Sequence, residues 1–247
     1  MQSHERIIMF IITGLSNLWC FPCLYVVYHR KMLFVFMTGI FTFVCSFMYH
    51  SMESLEINKF YLTASQWHRV DNIGSILSLI NLFVFLMDNL DYIDGVYISK
   101  YETNIDRALC YSGLFLTLFM QTKHPWDLEN TIIPVALYLF ILIGKVLFIR
   151  KPRLNHKYFV RAWSIMVFGF ICFYKGLDDA NDYLRIWHGI WHFCGSAALF
   201  YFYQSIHKDK PLLNINIETS KSAKNYRFLP VLIYIFTFGW YKKSLIE

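Results

Sequence analysis

Charged side chains are scarce in this sequence. They make up 16% of its 247 residues, whereas hydrophobic residues make up 56%. An average soluble domain carries about a quarter charged residues, so a soluble protein of this length would need more polar surface than the chain supplies. Because long apolar runs also recur along the chain, we predict an all-α, polytopic membrane protein.

A disulfide framework is not expected either. The six cysteines lie within or beside apolar runs and none lies in a long polar loop, unlike the cysteines of small secreted domains. The pair in CFPC, Cys20 and Cys23, has the spacing of a metal knuckle or a redox pair, but no second pair completes such a site. We interpret both as small packing residues.

The sequence also lacks a cleavable signal pattern, internal repeats and a linker between domains. Its first apolar run is too long for the core of a signal peptide, and no A-x-A-like site follows it. We therefore expect this run to be retained as the first membrane span. Neither a glycine-rich phosphate loop nor a plausibly spaced Ser-His-Asp triad is present.

Seven apolar segments are each close to the roughly 20 residues that a helix needs to cross a membrane. They predict a seven-transmembrane bundle over residues 1–204, followed by a cytoplasmic tail over residues 205–247. The apolar segment 228–240 of this tail is too short to cross comfortably and is expected to lie in the membrane interface. The seven predicted spans are 7–28, 33–50, 70–88, 108–122, 131–149, 159–175 and 183–204.

Lysine and arginine are distributed unequally between alternate loops. With the seven spans numbered in order, the loops and tail on one side hold fifteen of these residues and those on the other side hold six. The positive-inside rule then places the C-terminus in the cytoplasm and the N-terminus outside. A net charge of +6 could suggest nucleic acid as a partner, but positive residues concentrated in alternate loops indicate membrane orientation instead, so nucleic acid is not expected.

This orientation brings several polar side chains to one depth in the membrane. His50 lies near the outer end of the second predicted span, with Ser46 one turn deeper. Asp71 lies in the first turns of the third span, and His188 and His192 lie in the outer half of the seventh. Four ionisable groups from three helices are therefore expected near one membrane surface.

These residue types suit a metal site. Residues four apart share a helical face, so His188 and His192 can point at one position. With His50 they would supply the three nitrogen ligands of a catalytic zinc, whose fourth position stays open. Asp71 is then a candidate general base or ligand-orienting group, and Ser46 a candidate for positioning a substrate carbonyl. The alternative is that each histidine only packs, but ionisable groups at mid-membrane cost about 2.5–3.5 kcal/mol and tend to be functional.

Other ionisable residues are weaker candidates. His68 is a substitute ligand, although the membrane interface accommodates a histidine cheaply. The acidic loop before the seventh span is a candidate cation site, but a solvated loop is the favoured interpretation. The acidic residues interpreted as loop charges are Glu53, Glu56, Asp178, Asp179 and Asp182.

Three short motifs resemble those of the CREST superfamily, which includes alkaline ceramidases and adiponectin receptors. They are SFMYH with Ser46 and His50, VDNIGSI with Asp71, and HGIWH with His188 and His192. The resemblance implies seven helices around a zinc held by the three histidines, with Ser46 and Asp71 nearby. Within the superfamily, residues 8–204 most resemble the myomaker family of muscle-cell fusion proteins. One departure is the tail: this chain has no cysteine after Cys194, so the acyl anchoring of that family is not expected.

The resemblance implies a plasma-membrane protein, present also in the Golgi, that promotes the fusion of myoblasts. The alternative function is a zinc-dependent intramembrane hydrolase that cleaves a ceramide amide or an acyl ester. A third hypothesis is a receptor or scaffold in which the metal only braces three helices. The partners considered are membrane lipids, a second copy of the chain in a homodimer, and a fusion-partner protein.

Overall fold

The computed structural model describes residues 2–93, 96–98, 100–123, 125, 127–178 and 181–206, and this part of the chain is predominantly helical. The predicted interfacial segment 228–240, and all of the predicted tail beyond Ile206, lie outside the described residues. The helical elements are α1 (Ser3–Met9), a π-helix (Phe10–Gly14), a 3₁₀-helix (Leu15–Cys20), α2 (Phe21–His29), α3 (Leu33–Leu55), α4 (Ala64–Leu86), α5 (Asn104–Lys123), α6 (Leu128–Phe148), α7 (His156–Gly176) and α8 (Ile186–Gln204).

Two short antiparallel hairpins occupy connections between helices. Strands β1 (Lys59–Phe60) and β2 (Leu62–Thr63) join α3 to α4, and β3 (Asp91–Ile93) pairs with β4 (Val96–Ile98) between α4 and α5. The first hairpin ends at Thr63, which is the N-cap residue of α4. The Thr63 hydroxyl accepts the Gln66 N–H while the Gln66 side chain returns to the Thr63 N–H. This capping box satisfies backbone donors that the first turn of α4 leaves without partners.

Each of the seven predicted apolar segments lies largely within a helical segment. The first four helical elements form one continuous stretch, Ser3–His29, which we call the first segment. Within the described residues, five stretches are long and apolar enough to cross a membrane: the first segment, α3, α4, α6 and α7. The membrane-protein prediction is therefore supported, whereas α5 and α8 are not among these five.

Helix α4 lies at the centre of the bundle. It packs against α3, α5, α6 and α8, and its C-terminal half is buried almost continuously from Ile76 to Leu86. The hydrophobic core includes Phe85 of α4 and Phe202 of α8. In contrast, α6 presents large apolar side chains such as Phe140 and Phe148 on its outer face, as expected for a helix whose surroundings are hydrocarbon.

A buried carboxylate anchors the C-terminal end of α4. Asp88 is fully buried and accepts hydrogen bonds from Nε and Nη2 of Arg153, each at 2.8 Å. Arg150 contacts the same carboxylate at 3.3 Å. Burial alone would raise the pKa of Asp88, but the hydrogen bonds and charges of Arg153 and Arg150 outweigh it and hold the pKa below its ordinary value. The cluster ties the end of α4 to the connection between α6 and α7.

Candidate metal centre

Three imidazoles meet at the end of the bundle opposite Asp88. The ring centroids of His50, His188 and His192 form a nearly equilateral triangle with sides of 4.8, 4.7 and 4.8 Å. One nitrogen from each ring lies within 4.8 Å of the other two. His50 is 1% exposed, while the other two are half-buried. The predicted cluster of three histidines is therefore present as a spatial group.

Two helices supply these side chains. His50 lies near the C-terminal end of α3, and His188 and His192 lie in the first two turns of α8. The spacing of four residues puts the latter pair on one face of α8. Because α3 ends and α8 begins at the same end of the bundle, both helices direct imidazoles to one position.

The nitrogen spacing fits a tetrahedral metal. Nε2 of His50 lies 3.3 Å from Nε2 of His188. Two ligands of a tetrahedral zinc, each about 2.0–2.1 Å from the ion, are separated by about 3.3 Å. The third nitrogen lies within 4.8 Å of the other two, so metal binding would draw it closer to them. The three residues therefore suit a metal in number, chemistry and spacing.

The N-terminus of α8 is held in place by an acidic residue. The Asp182 carboxylate accepts the backbone N–H groups of Trp187 and His188 at 3.1 and 3.2 Å, and the residue is only 4% exposed. Interpreting Asp182 as a solvated loop charge was therefore wrong, because its carboxylate satisfies donors that the first helical turn leaves without partners. Asp179 lies outside the described residues, whereas Asp178 bonds Asn181 at the surface.

Two further contacts orient the imidazoles. Ser16 Oγ, from the first segment, lies 3.0 Å from Nδ1 of His192. On α3, Glu53 Oε2 lies 3.5 Å from Nδ1 of His50, and its other oxygen accepts hydrogen bonds from Tyr49 and Arg185. Sequence reasoning did not identify Ser16, and it interpreted Glu53 as a loop charge. The spacing of Glu53, three residues after His50 on one helix, was the available signal for the second contact.

Ser46 and Asp71 lie deeper than the histidines and next to them. Ser46 is 6% exposed and interacts with the carboxylate of Asp71, whose surroundings also include His50. The Oδ1 atom of Asp71 is enclosed and has no hydrogen-bond partner among the described residues. A buried carboxylate oxygen that keeps a free acceptor position is suited to taking a proton or orienting a polar group.

The weaker candidates lie outside this triangle. His68 stacks on Tyr49 with ring centroids 4.3 Å apart and planes at 7°, and it is not part of the three-histidine group. All six cysteines lie in the described part of the chain and are free thiols. Cys20 is half-buried and Cys23 is buried, which agrees with the packing role predicted for CFPC.

Comparison with known proteins places the chain in a family. Residues 5–193 match the family model described as protein of unknown function (DUF3522), and no curated protein matches the chain. The matched range covers more than half of the sequence and includes the three clustered histidines together with Ser46 and Asp71. The chain therefore belongs to the DUF3522 family.

Proposed function

We propose that this protein is a seven-span plasma-membrane protein that promotes cell–cell fusion and holds a zinc ion near the outer leaflet. The observation that carries the metal site is the triangle of His50, His188 and His192, with two Nε2 atoms 3.3 Å apart. The fusion function rests on the resemblance of residues 8–204 to the myomaker family, which belongs to the CREST superfamily by its motifs.

The difference between the two ends of the bundle supports this orientation. The histidine triangle lies at the end where α3 finishes and α4 begins, whereas Arg150 and Arg153 lie at the opposite end, on Asp88. The positive-inside rule assigns the arginine-rich end to the cytoplasm. In this orientation α5 and α8 complete the seven spans, and the histidines face the outer leaflet.

Each residue of the site has a defined role in this proposal. His50, His188 and His192 hold the ion, and zinc bound in this way makes water nucleophilic near neutral pH. Asp71, whose Oδ1 keeps a free acceptor position, accepts a proton or orients the group that carries it. Ser46 donates from its hydroxyl to a carbonyl oxygen or to Asp71.

A second candidate function is hydrolysis of a membrane lipid at an amide or ester bond. The observation that favours it is the pair formed by Ser46 and Asp71 beside the histidines. A purely structural metal site needs neither a buried carboxylate with a free acceptor nor an adjacent hydroxyl. The two candidates share the metal site and differ in whether a lipid is cleaved.

The test uses the purified full-length protein and its His188→Ala and His192→Ala variants, with His68→Ala as the matched control. We expect about one zinc per chain in the wild type and in the control, and near-complete loss in the two variants, because two remaining ligands bind zinc poorly. Elemental analysis measures the metal content. A zinc-free wild-type protein of intact fold would contradict both candidate functions.

Cell fusion and the turnover of ceramide and acyl-ester lipids are then measured separately. Fusion that is lost in the variants, without lipid cleavage by the wild type, supports the fusion protein. Cleavage that is lost in the same variants and in Asp71→Asn supports the hydrolase. Loss of metal with fusion and cleavage both intact would leave the ion only a bracing role.

A further inference from the structure

The first segment reaches the histidine triangle through one side chain. Ser16 lies on the 3₁₀-helix Leu15–Cys20, and its Oγ is 3.0 Å from Nδ1 of His192. The two residues are 176 positions apart in the sequence. This contact engages Nδ1 of His192, which leaves Nε2 as the ring nitrogen for a metal ion.

The direction of this hydrogen bond follows from the other contacts of Ser16. The Ser16 hydroxyl donates its single proton to the backbone oxygen of Thr13, at 2.9 Å. Its oxygen is therefore left to accept, so Nδ1 of His192 is the donor. The Thr13 carbonyl also interacts with the His192 ring, and a carbonyl oxygen can only accept.

A neutral imidazole carries one proton. If Nδ1 of His192 holds it, Nε2 presents a lone pair, which is the form that binds a metal. Metal-bound histidines commonly donate their second ring N–H to an oxygen acceptor that sets the tautomer and the ring orientation. Ser16 and the Thr13 carbonyl supply such an acceptor from a different helix.

The contact lies at an irregular stretch of helix. The π-helix Phe10–Gly14 closes with the Leu15 N–H bonded to the Phe10 oxygen, and the 3₁₀-helix follows directly. The Thr13 oxygen there accepts from the side chains of Ser16 and Asn17. Irregular π segments recur at functional sites in other helices.

We infer that Ser16 is a positioning residue of the metal site, which holds His192 in the tautomer with Nε2 free to bind the ion. This inference rests on the proposed function, because it assigns Ser16 a role only if the triangle binds a metal. It adds the first segment to the two helices that supply the ligands.

The test compares Ser16→Ala with Ser16→Thr, which keeps the hydroxyl, and with Ser78→Ala as the matched control. Ser78 lies on α4, and its hydroxyl donates to a backbone oxygen one turn earlier, that of Gly74. Zinc affinity of the purified full-length proteins is measured by competition with a chelator. The visible absorption of the Co²⁺-loaded proteins reports the ligand geometry.

We expect Ser16→Ala to lower the zinc affinity about 10–100-fold and to change the Co²⁺ spectrum, as for other residues that orient metal-bound histidines. Ser16→Thr and Ser78→Ala should behave like the wild type. Unchanged affinity and spectrum in Ser16→Ala would overturn the inference alone, and so would an equal loss in Ser16→Thr, which would indicate packing instead of the hydroxyl. A wild-type protein that binds neither zinc nor Co²⁺ would overturn the proposed function as well.

Discussion

At the scale of single residues, Glu53 contacts three side chains beside the site. Its Oε1 accepts from Tyr49 at 2.9 Å and from Arg185 at 3.2 Å, and its Oε2 lies 3.5 Å from Nδ1 of His50. Its side chain is 25% exposed. The carboxylate thereby connects the end of α3 to the residue that precedes α8, so it stabilises the relative position of both ligand-bearing helices.

We expect Glu53→Gln to destabilise the protein by roughly 1.5–3 kcal/mol, the range for hydrogen bonds to charged groups. The amide oxygen of glutamine accepts from Tyr49 and Arg185 less strongly than the carboxylate does. Glu56→Gln is the control, because Glu56 lies one turn further on and pairs with Arg6 at a more exposed position. Exposed pairs contribute about 0–1 kcal/mol.

Thermal unfolding of both variants in detergent micelles measures this difference. A larger loss of stability in Glu56→Gln than in Glu53→Gln would contradict the role given to Glu53.

At the scale of helices, the site depends on a close approach of α8 to the first segment. A Cβ atom at Gly189 would lie 2.6 Å from the backbone oxygen of Ile12 and 2.6 Å from its Cγ2. Gly189 follows His188 directly, and Ile12 belongs to the π-helix that precedes Ser16. The absence of a side chain at this position is therefore what allows Ser16 to reach His192. Small residues serve the same purpose in other membrane helix pairs.

Gly189→Ala is predicted to separate these two helices, because the obstructing atom is backbone and cannot rotate away. We expect a loss of about 1–3 kcal/mol in stability, as for other overpacked sites, together with weaker zinc binding. Gly144→Ala on α6 is the control, since a Cβ there meets no described atom within 4 Å. It should be neutral or stabilise by about 0.5–1 kcal/mol.

This prediction is tested by measuring the unfolding midpoints and the zinc affinities of both variants. Equal behaviour of Gly189→Ala and Gly144→Ala would mean that the close approach at Ile12 is not required.

At the scale of the whole molecule, the two ends of the bundle are held by different chemistry. One end carries the histidine triangle, and the other carries Asp88 with Arg150 and Arg153. Asp88 lies just after the C-terminal end of α4, and its backbone has a positive φ of 49°. The ion cluster joins the central helix to the connection before α7, so it contributes to the stability of the bundle independently of the metal.

Asp88 should make this stability dependent on pH. Its folded-state pKa is lowered by Arg153 and Arg150, so its contribution is present above the unfolded-state pKa of about 3.9 and is lost as the pH falls below that value. Asp88→Asn should cost roughly 1–3 kcal/mol near neutral pH, discounted because the arginines are partly exposed. The cost should shrink towards about pH 3.

Unfolding of the wild type and Asp88→Asn in detergent, at several pH values, measures this prediction. Asp127→Asn is the control, because Asp127 is exposed and makes no capping hydrogen bond through its side chain. A difference between wild type and Asp88→Asn that stays constant down to about pH 3 would exclude the proposed linkage.

The sequence by itself determined the helices and the class of protein. Apolar runs of membrane-spanning length predict helices because hydrocarbon leaves backbone groups no partner outside the helix. The spacing of His188 and His192 also placed both on one face, because that relation is local to α8. The seven spans, their orientation and the zinc ion stay predictions.

Only the tertiary structure decided which distant side chains surround the histidines. Ser16 meets His192 across 176 positions, and this contact depends on how the irregular first segment packs against Gly189. Asp182 and Glu53 were interpreted from sequence as loop charges, yet one caps α8 and the other joins α3 to Arg185. Helical periodicity indicates which residues of one helix share a face. Which other helix packs against that face depends on the packing of all the helices together.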